Sequence, residues 1–144
     1  MIEEELKYDL TDTYATFAKS HHDDGGFDLS SIDNVELNPQ DSKLIDSGVR
    51  VAIPEGSVGL LLGRSSLASK RGVTVIPGVI DAGYRGNIKM NCHNLDVYFR
   101  RSIHRGDRIA QLLILKLTDV KTIEAKDLGD TVRGSGGFGS TSGN

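Results

Sequence analysis

Apolar positions along this chain come in short bursts separated by turn residues, and the bursts have the length of strands. Residues 43–53 read KLIDSGVRVAI, a partial alternation of apolar and polar positions. PEGS at 54–57 follows as a turn, with proline early and glycine behind it. Residues 58–62 (VGLLL) are apolar. Residues 73–76 (VTVI) are rich in β-branched side chains and stop at Pro77 and Gly78. Residues 87–92 (NIKMNC) resume as a strand after the turn DAGYRG, and Ile123 begins or ends another. IAQLLILKL, residues 109–117, is a near-continuous apolar run, which predicts a strand buried on both faces. Short strands at this spacing, with frequent glycine, predict an all-β sandwich or barrel. One segment breaks the pattern. GRSSLASKRG, residues 63–72, offers Ser65 or Ser66 as a cap, about two turns of helix formers, and Gly72 as a stop.

The last twelve residues, RGSGGFGSTSGN (133–144), include five glycines and three serines around one cation, Arg133, and one ring, Phe138. Such a segment has little to bury and is expected to be mobile. The chain therefore divides into a β domain over residues 1–128 and a tail over 129–144. Its 144 residues suffice for one core. A net charge of −3 supplies no global basic field for nucleic acid. The apolar runs fall short of a membrane span, and the acidic opening MIEEELKYDL argues against a targeting peptide. The single cysteine, Cys92, excludes an intrachain disulfide and reads as a small buried hydrophobe, which fits a reducing, cytoplasmic compartment. His21, His22, His93 and His104 lack metal-ligand spacing, which argues against a protein-bound zinc site.

Several stretches admit a chemical reading beside a plain one. The start of GRSSLASKRG, with Arg64 beside it, suits phosphate, yet capped surface helices are common. In GVIDAGYRGN (78–87), Asp81 is either a turn former or a general base, and Tyr84 either a core ring or a platform for a sugar. DDGGFDL (23–29) is either a solvated acidic loop or support for a divalent cation whose first shell is water and phosphate oxygen. Gln111, inside the apolar run of RGDRIAQLLI (105–114), either ties strands together or faces a ligand. In the tail, Phe138 can stack on a base and Arg133 can pair with a phosphate, the properties of a lid that orders on a nucleotide.

Taken in order, DDGGFDL, GRSSLASKRG, GVIDAGYRGN, RGDRIAQLLI and RGSGGFGSTSG resemble the motifs of the trimeric dUTPase family, from about residue 23 to the end. The resemblance implies a distorted jelly-roll-like β-barrel with one short helix and the glycine-rich tail. It implies a homotrimer whose sites each draw on several chains. The implied reaction is dUTP and water giving dUMP and pyrophosphate with Mg²⁺, which keeps uracil out of DNA and supplies dUMP for thymidylate synthesis. By motif matching, Asp81 is the general base, and Tyr84 packs on the deoxyribose and excludes a 2′-hydroxyl. Backbone groups of Gly78, Val79 and Ile80 read uracil. Arg64, Ser65, Ser66 and Gln111 hold phosphates, with Lys89 a further substrate contact. Arg133, Gly139, Ser140 and Thr141 reach the nucleotide from another subunit, and Phe138 stacks on uracil. No direct protein ligand to the metal is implied, and Asp28 acts through water.

Two positions depart from the common pattern: Gly83 stands where many members carry a second Asp, and Gly63 where Pro is common. GRSS and IDAG also occur in the related dCTP deaminases of the same fold. Those enzymes use a Glu in the following strand, where this chain has Asn91, and they lack the glycine-rich tail. A non-catalytic jelly-roll binding module is a third reading, for which Asp81, Tyr84, Arg133 and Phe138 have no use. A regulatory protein partner is compatible with catalysis. Neither nucleic acid nor membrane is an expected partner. The expected location is the cytoplasm, or the nucleus for a viral or eukaryotic source.

Overall fold

The computed structural model describes residues 4–139. Its strands are β1 (Lys7–Leu10), β2 (Phe27–Ser30), β3 (Val35–Leu37), β4 (Ser42–Asp46), β5 (Val49–Ala52) and β6 (Ser57–Gly63), followed by the helix α1 (Ser65–Arg71). Then come β7 (Val73–Val75), β8 (Gly78–Ile80), β9 (Lys89–Asn94), β10 (Arg101–Ile103) and β11 (Arg108–Lys116). The pairings are antiparallel, in ladders ordered β2-β11-β6-β8, β4-β9-β7, β1-β5 and β10-β3. This is a jelly-roll-like β architecture with one short helix. The four ladders do not join into one closed barrel, because turns interrupt the pairing after only a few residues.

Residues 43–53 do not form one strand. Ser47 and Gly48 separate β4 from β5, and Gly48 has φ +68, in the left-handed region that glycine adopts without steric cost. A Cβ there would also meet Ile32 Cγ2 at 2.9 Å. β6 alternates, with Ser57, Gly59 and Leu61 inward, although its sequence shows only an apolar run over 58–62. β11 departs from the expectation of two buried faces. Ile109, Ala110 and Leu112 are buried, but Leu115 and Leu117 emerge to solvent. A register shift between Arg108 and Ala110 lets two successive residues, Ile109 and Ala110, both face inward. The core beneath these sheets includes Leu29, Val49, Val73, Met90, Ile103 and Leu112. Cys92 belongs to it, and burial pushes its thiol up to about 12, so it is a packing residue rather than a nucleophile.

α1 ends as its sequence predicts. Gly72 has φ +65 and donates its N–H to the Ala68 carbonyl at 3.2 Å. Its start differs. The capping position is Arg64, extended at φ −89 and ψ 134, and no side chain caps the helix. Ser65 and Ser66 are already helical, so neither hydroxyl sits where it could accept a first-turn N–H. Leu67 anchors the helix in the core. Beyond β11 the described residues form neither helix nor strand, so Ile123 belongs to no strand. Among the described residues no helix is long and apolar enough to cross a membrane.

Candidate functional site

The ladders bring together two groups of chemistry-bearing side chains. The first lies where β2, β11 and the start of α1 meet. The register of β2 and β11 sets Asp28 opposite Gln111. A Cβ at Gly26 would stand 2.9 Å from Gln111 Oε1, so glycine makes room for the amide. Asp28 is the centre of this group. Arg108 Nη1 donates to its Oδ2 at 3.1 Å, Arg64 Nε lies 3.7 Å from its Oδ1, and Ser20 Oγ donates to Oδ2 at 3.3 Å. Arg64 Nη1 also donates to the Arg108 carbonyl at 3.3 Å. Two guanidinium groups against one carboxylate leave the group net positive, an arrangement that suits phosphate. A cavity of about 250 Å³ lies beside it, lined by Ser66, Leu67, Lys70, Arg71 and Arg108. At its back, Arg71 Nη1 donates to Asp107 Oδ2 at 2.9 Å and also pairs with the Ser102 carbonyl, tying the end of α1 to the turn before β11.

The carboxyl of Asp107 is partly desolvated, which pushes its pKa up. The His104 N–H bond (2.9 Å) and the Arg71 guanidinium outweigh that, and the group is held below the ordinary value of 3.8.

The second group sits on the loop that carries the chain from β8 in one ladder to β9 in another. A cavity of about 350 Å³ is lined by Leu44, Val79, Ile80, Asp81, Tyr84, Asn87 and Lys89. Asp81 opens the turn, and its carbonyl accepts the Tyr84 N–H at 3.1 Å. β8 is the outer strand of its ladder, paired only with β6 among the described residues. Its free edge leaves peptide groups for a planar hydrogen-bonding partner. A third cavity, of about 270 Å³, lies along β1 and β5 and contains none of the expected site residues.

Of the residues expected from sequence, the structure gathers Val79, Ile80, Asp81, Tyr84 and Lys89 in one cavity. It gathers Asp28 and Arg64 in the other group, with Gln111 across the ladder and Ser66 in the adjoining cavity. Ser65 sits exposed at the helix start, and Gly78 lies on β8 just outside the cavity lining. The two cavities share no residue. Neither is lined by Arg133, Phe138 or Gly139. Arg133 turns back on the Gly136 carbonyl, and Phe138 is fully exposed. Ser140 and Thr141 lie outside the described residues. Arg108, Lys70, Leu44 and Asn87 were not among the expected site residues. The second arginine of RGDR, at the mouth of an apolar strand, was the available signal for Arg108. Leu44 reaches its cavity only through the pairing of β4 with β9.

No group of three or more His, Cys, Asp or Glu able to hold a metal occurs among the described residues. The Asp28 carboxylate is already engaged by two arginines. This donor set does not fit direct metal coordination.

A family model described as dUTPase matches residues 12–142. The deoxyuridine 5′-triphosphate nucleotidohydrolase of Mycolicibacterium gilvum (strain PYR-GCK) is 46% identical over 133 residues, covering 88% of this chain and 86% of its own. The protein of the same name from Mycobacterium tuberculosis (strain ATCC 25177 / H37Ra) is 45% identical over the same length and coverage. Among solved structures, Staphylococcus bacteriophage 80alpha dUTPase with dUPNHPP superimposes with a TM-score of 0.86 at 31% identity, covering 96% of this chain and 99% of that one. A mutant dUTPase from phage phi11 of S. aureus, with a structural Mg(II) ion, gives 0.80 at 30% identity, covering 87% and 99%.

Proposed function

The chain belongs to the dUTPase family, and we infer that it is a dUTP diphosphatase, converting dUTP and water to dUMP and pyrophosphate. The observation that carries the residue-level reading is the cavity in which Asp81 and Tyr84 stand together beside the free edge of β8. We assign Asp81 as the base that takes the proton of the attacking water. Tyr84 packs against the deoxyribose, and peptide groups of Gly78, Val79 and Ile80 meet the uracil edge, with Lys89 at the rim. Arg64 and Arg108 hold phosphate oxygens, with Ser65, Ser66 and Gln111 beside them. Phosphoryl transfer depends chiefly on positioning and charge neutralisation, the contribution expected of these cations.

The proposed assembly is a homotrimer. The phosphate-binding group and the Asp81 loop share no residue, so a site combining them can draw on two copies. Leu117, Val120, Ile123 and Leu128, past the last strand, are largely exposed in the single chain, in keeping with cover by a neighbouring copy. The tail, residues 129–144, is assigned as a lid that closes from another copy. In it Phe138 stacks on uracil, while Arg133, Gly139, Ser140 and Thr141 reach the nucleotide.

Mg²⁺ is the proposed metal, carried on triphosphate oxygens and water with Asp28 reachable through water only; when bound, it neutralises phosphate charge. The proposed location is the cytoplasm, supported by the buried, unpaired Cys92.

The test is incubation with dUTP, dCTP, dTTP and UTP plus Mg²⁺, assaying pyrophosphate and ammonia. Pyrophosphate from dUTP is expected. Ammonia from dCTP at a comparable rate would assign the deaminase chemistry instead. Asp81→Asn should bind dUTP but lose about 10²–10⁴ in kcat. Near-normal turnover would place the base elsewhere.

A further inference from the structure

The Tyr84 ring is fixed by a chain of contacts that leaves the cavity. Its hydroxyl donates to the Asn87 carbonyl at 2.7 Å. The ring lies directly on Gly86, where a Cβ would stand 2.5 Å from the hydroxyl oxygen and 2.7 Å from Cζ. Asn87 is itself clamped. Its Nδ2 donates to both carboxylate oxygens of Asp46 at 3.1 Å and to Thr11 Oγ1 at 3.3 Å. Asp46 does not line the cavity, but it is anchored in the body of the fold. Its Oδ1 accepts the Gly48 N–H at 2.8 Å, and its carbonyl accepts the Ile32 N–H at 3.3 Å. Thr11 grips the same turn, donating its N–H and its hydroxyl to the Gly48 carbonyl at 2.7 and 2.9 Å.

We propose that Asp46 is a positioning residue for sugar selectivity, acting through Asn87 on Tyr84. The proposal rests on the role given above to Tyr84. A ring that excludes a hydroxyl by contact must not yield by even a fraction of an ångström, because the added oxygen needs little more space than that. Tyr84 is 43 % exposed, so packing alone does not immobilise it. Its hydroxyl is the handle, and the handle is only as fixed as the Asn87 backbone. Adjacent Gly86 has no side chain with which to anchor that backbone. The Asn87 amide does so, because two carboxylate oxygens on one –NH₂ leave it little freedom to swing. The β4–β5 turn thereby sets the position of the phenol.

Steady-state kinetics with dUTP and UTP test this. In Asp46→Ala the ratio of kcat/KM for dUTP over UTP should fall about tenfold, while kcat for dUTP falls by less than that ratio. Asp46→Asn should recover most of the ratio, since its carbonyl oxygen can still accept from the Asn87 amide. Tyr84→Phe removes the handle, so the double variant with Asp46→Ala should be no worse than the worse single variant. If Asp46→Ala folds poorly, Asn87→Ala cuts the same link and leaves the Asp46 bond to Gly48 in place. The proposal is overturned if Asp46→Ala and Asn87→Ala keep the wild-type ratio while Tyr84→Ala collapses it. Full additivity of Asp46→Ala and Tyr84→Phe would overturn it too, leaving the role of Tyr84 intact. A wild-type ratio in Tyr84→Ala would remove the role of Tyr84 itself and the proposal with it.

Discussion

Two inactive variants should restore each other. Asp81→Asn removes the base on the β8–β9 loop, and Arg64→Ala removes a cation from the group around Asp28. The two residues line no common cavity in one chain. If each site joins the cation group of one copy to the Asp81 loop of another, a mixed oligomer contains sites with both halves intact. Such a site needs its Asp81 loop from an Arg64→Ala chain and its cations from an Asp81→Asn chain. With equal amounts and random assembly, each choice has an even chance, so about one site in four is whole. The parents set the background. Loss of a general base leaves at most about one part in 10² of turnover, well below a quarter. The assay is co-expression with two affinity tags, tandem purification of mixed assemblies, and dUTP turnover per site. Both tags fix the population to mixed trimers, which moves the recovered fraction only modestly. Activity no higher than the parents' average, in assemblies shown by mass to contain both chains, would refute a site shared between copies.

Removing the tail after Thr131 should leave the melting temperature and the assembly nearly unchanged while cutting kcat/KM sharply, because the tail buries little of itself. Phe138→Ala should give part of that loss, about ten- to a hundredfold if stacking is worth its usual amount; full activity in the truncated protein would refute the lid. The depressed Asp107 carboxyl makes a pH prediction. A group whose folded pKa lies below its unfolded value stabilises the fold above the unfolded value, near 3.8 here, and that contribution is lost as pH falls through the folded value. Acid unfolding curves taken from about pH 5 to pH 2 should therefore be shallower for Asp107→Asn than for the parent. Parallel curves would mean that Arg71 and the His104 N–H do not favour the charged form.

The positions of β6, β7, β9, β11 and α1 were legible because the signals behind them are local. Apolar runs, β-branched runs and a glycine able to adopt the left-handed conformation at a helix end depend on neighbouring residues. So does the GVIDAGYRGN turn, which brings Asp81 and Tyr84 together within a few residues. The five motifs, read in order, also carried the family. The short strands β1, β2, β3, β8 and β10 went unread, since three or four residues acquire strand geometry only from a partner. The helix cap was misplaced because the path out of β6 at Gly63, not the serine hydroxyl, sets which residue is extended.

What only the tertiary structure decided is which residues act together. Asp28 meets Arg108 across a separation of 80 residues, and Asn87 meets Asp46 across 41. No local pattern encodes such pairings, because they follow from ladder register and from which edge of which strand is left free. The same physics made IAQLLILKL a strand with one end in the core and one in solvent. Its apolar run was plain in the sequence, but the bulge after Arg108 and the end of the cover at Leu115 belong to the packing of neighbouring strands.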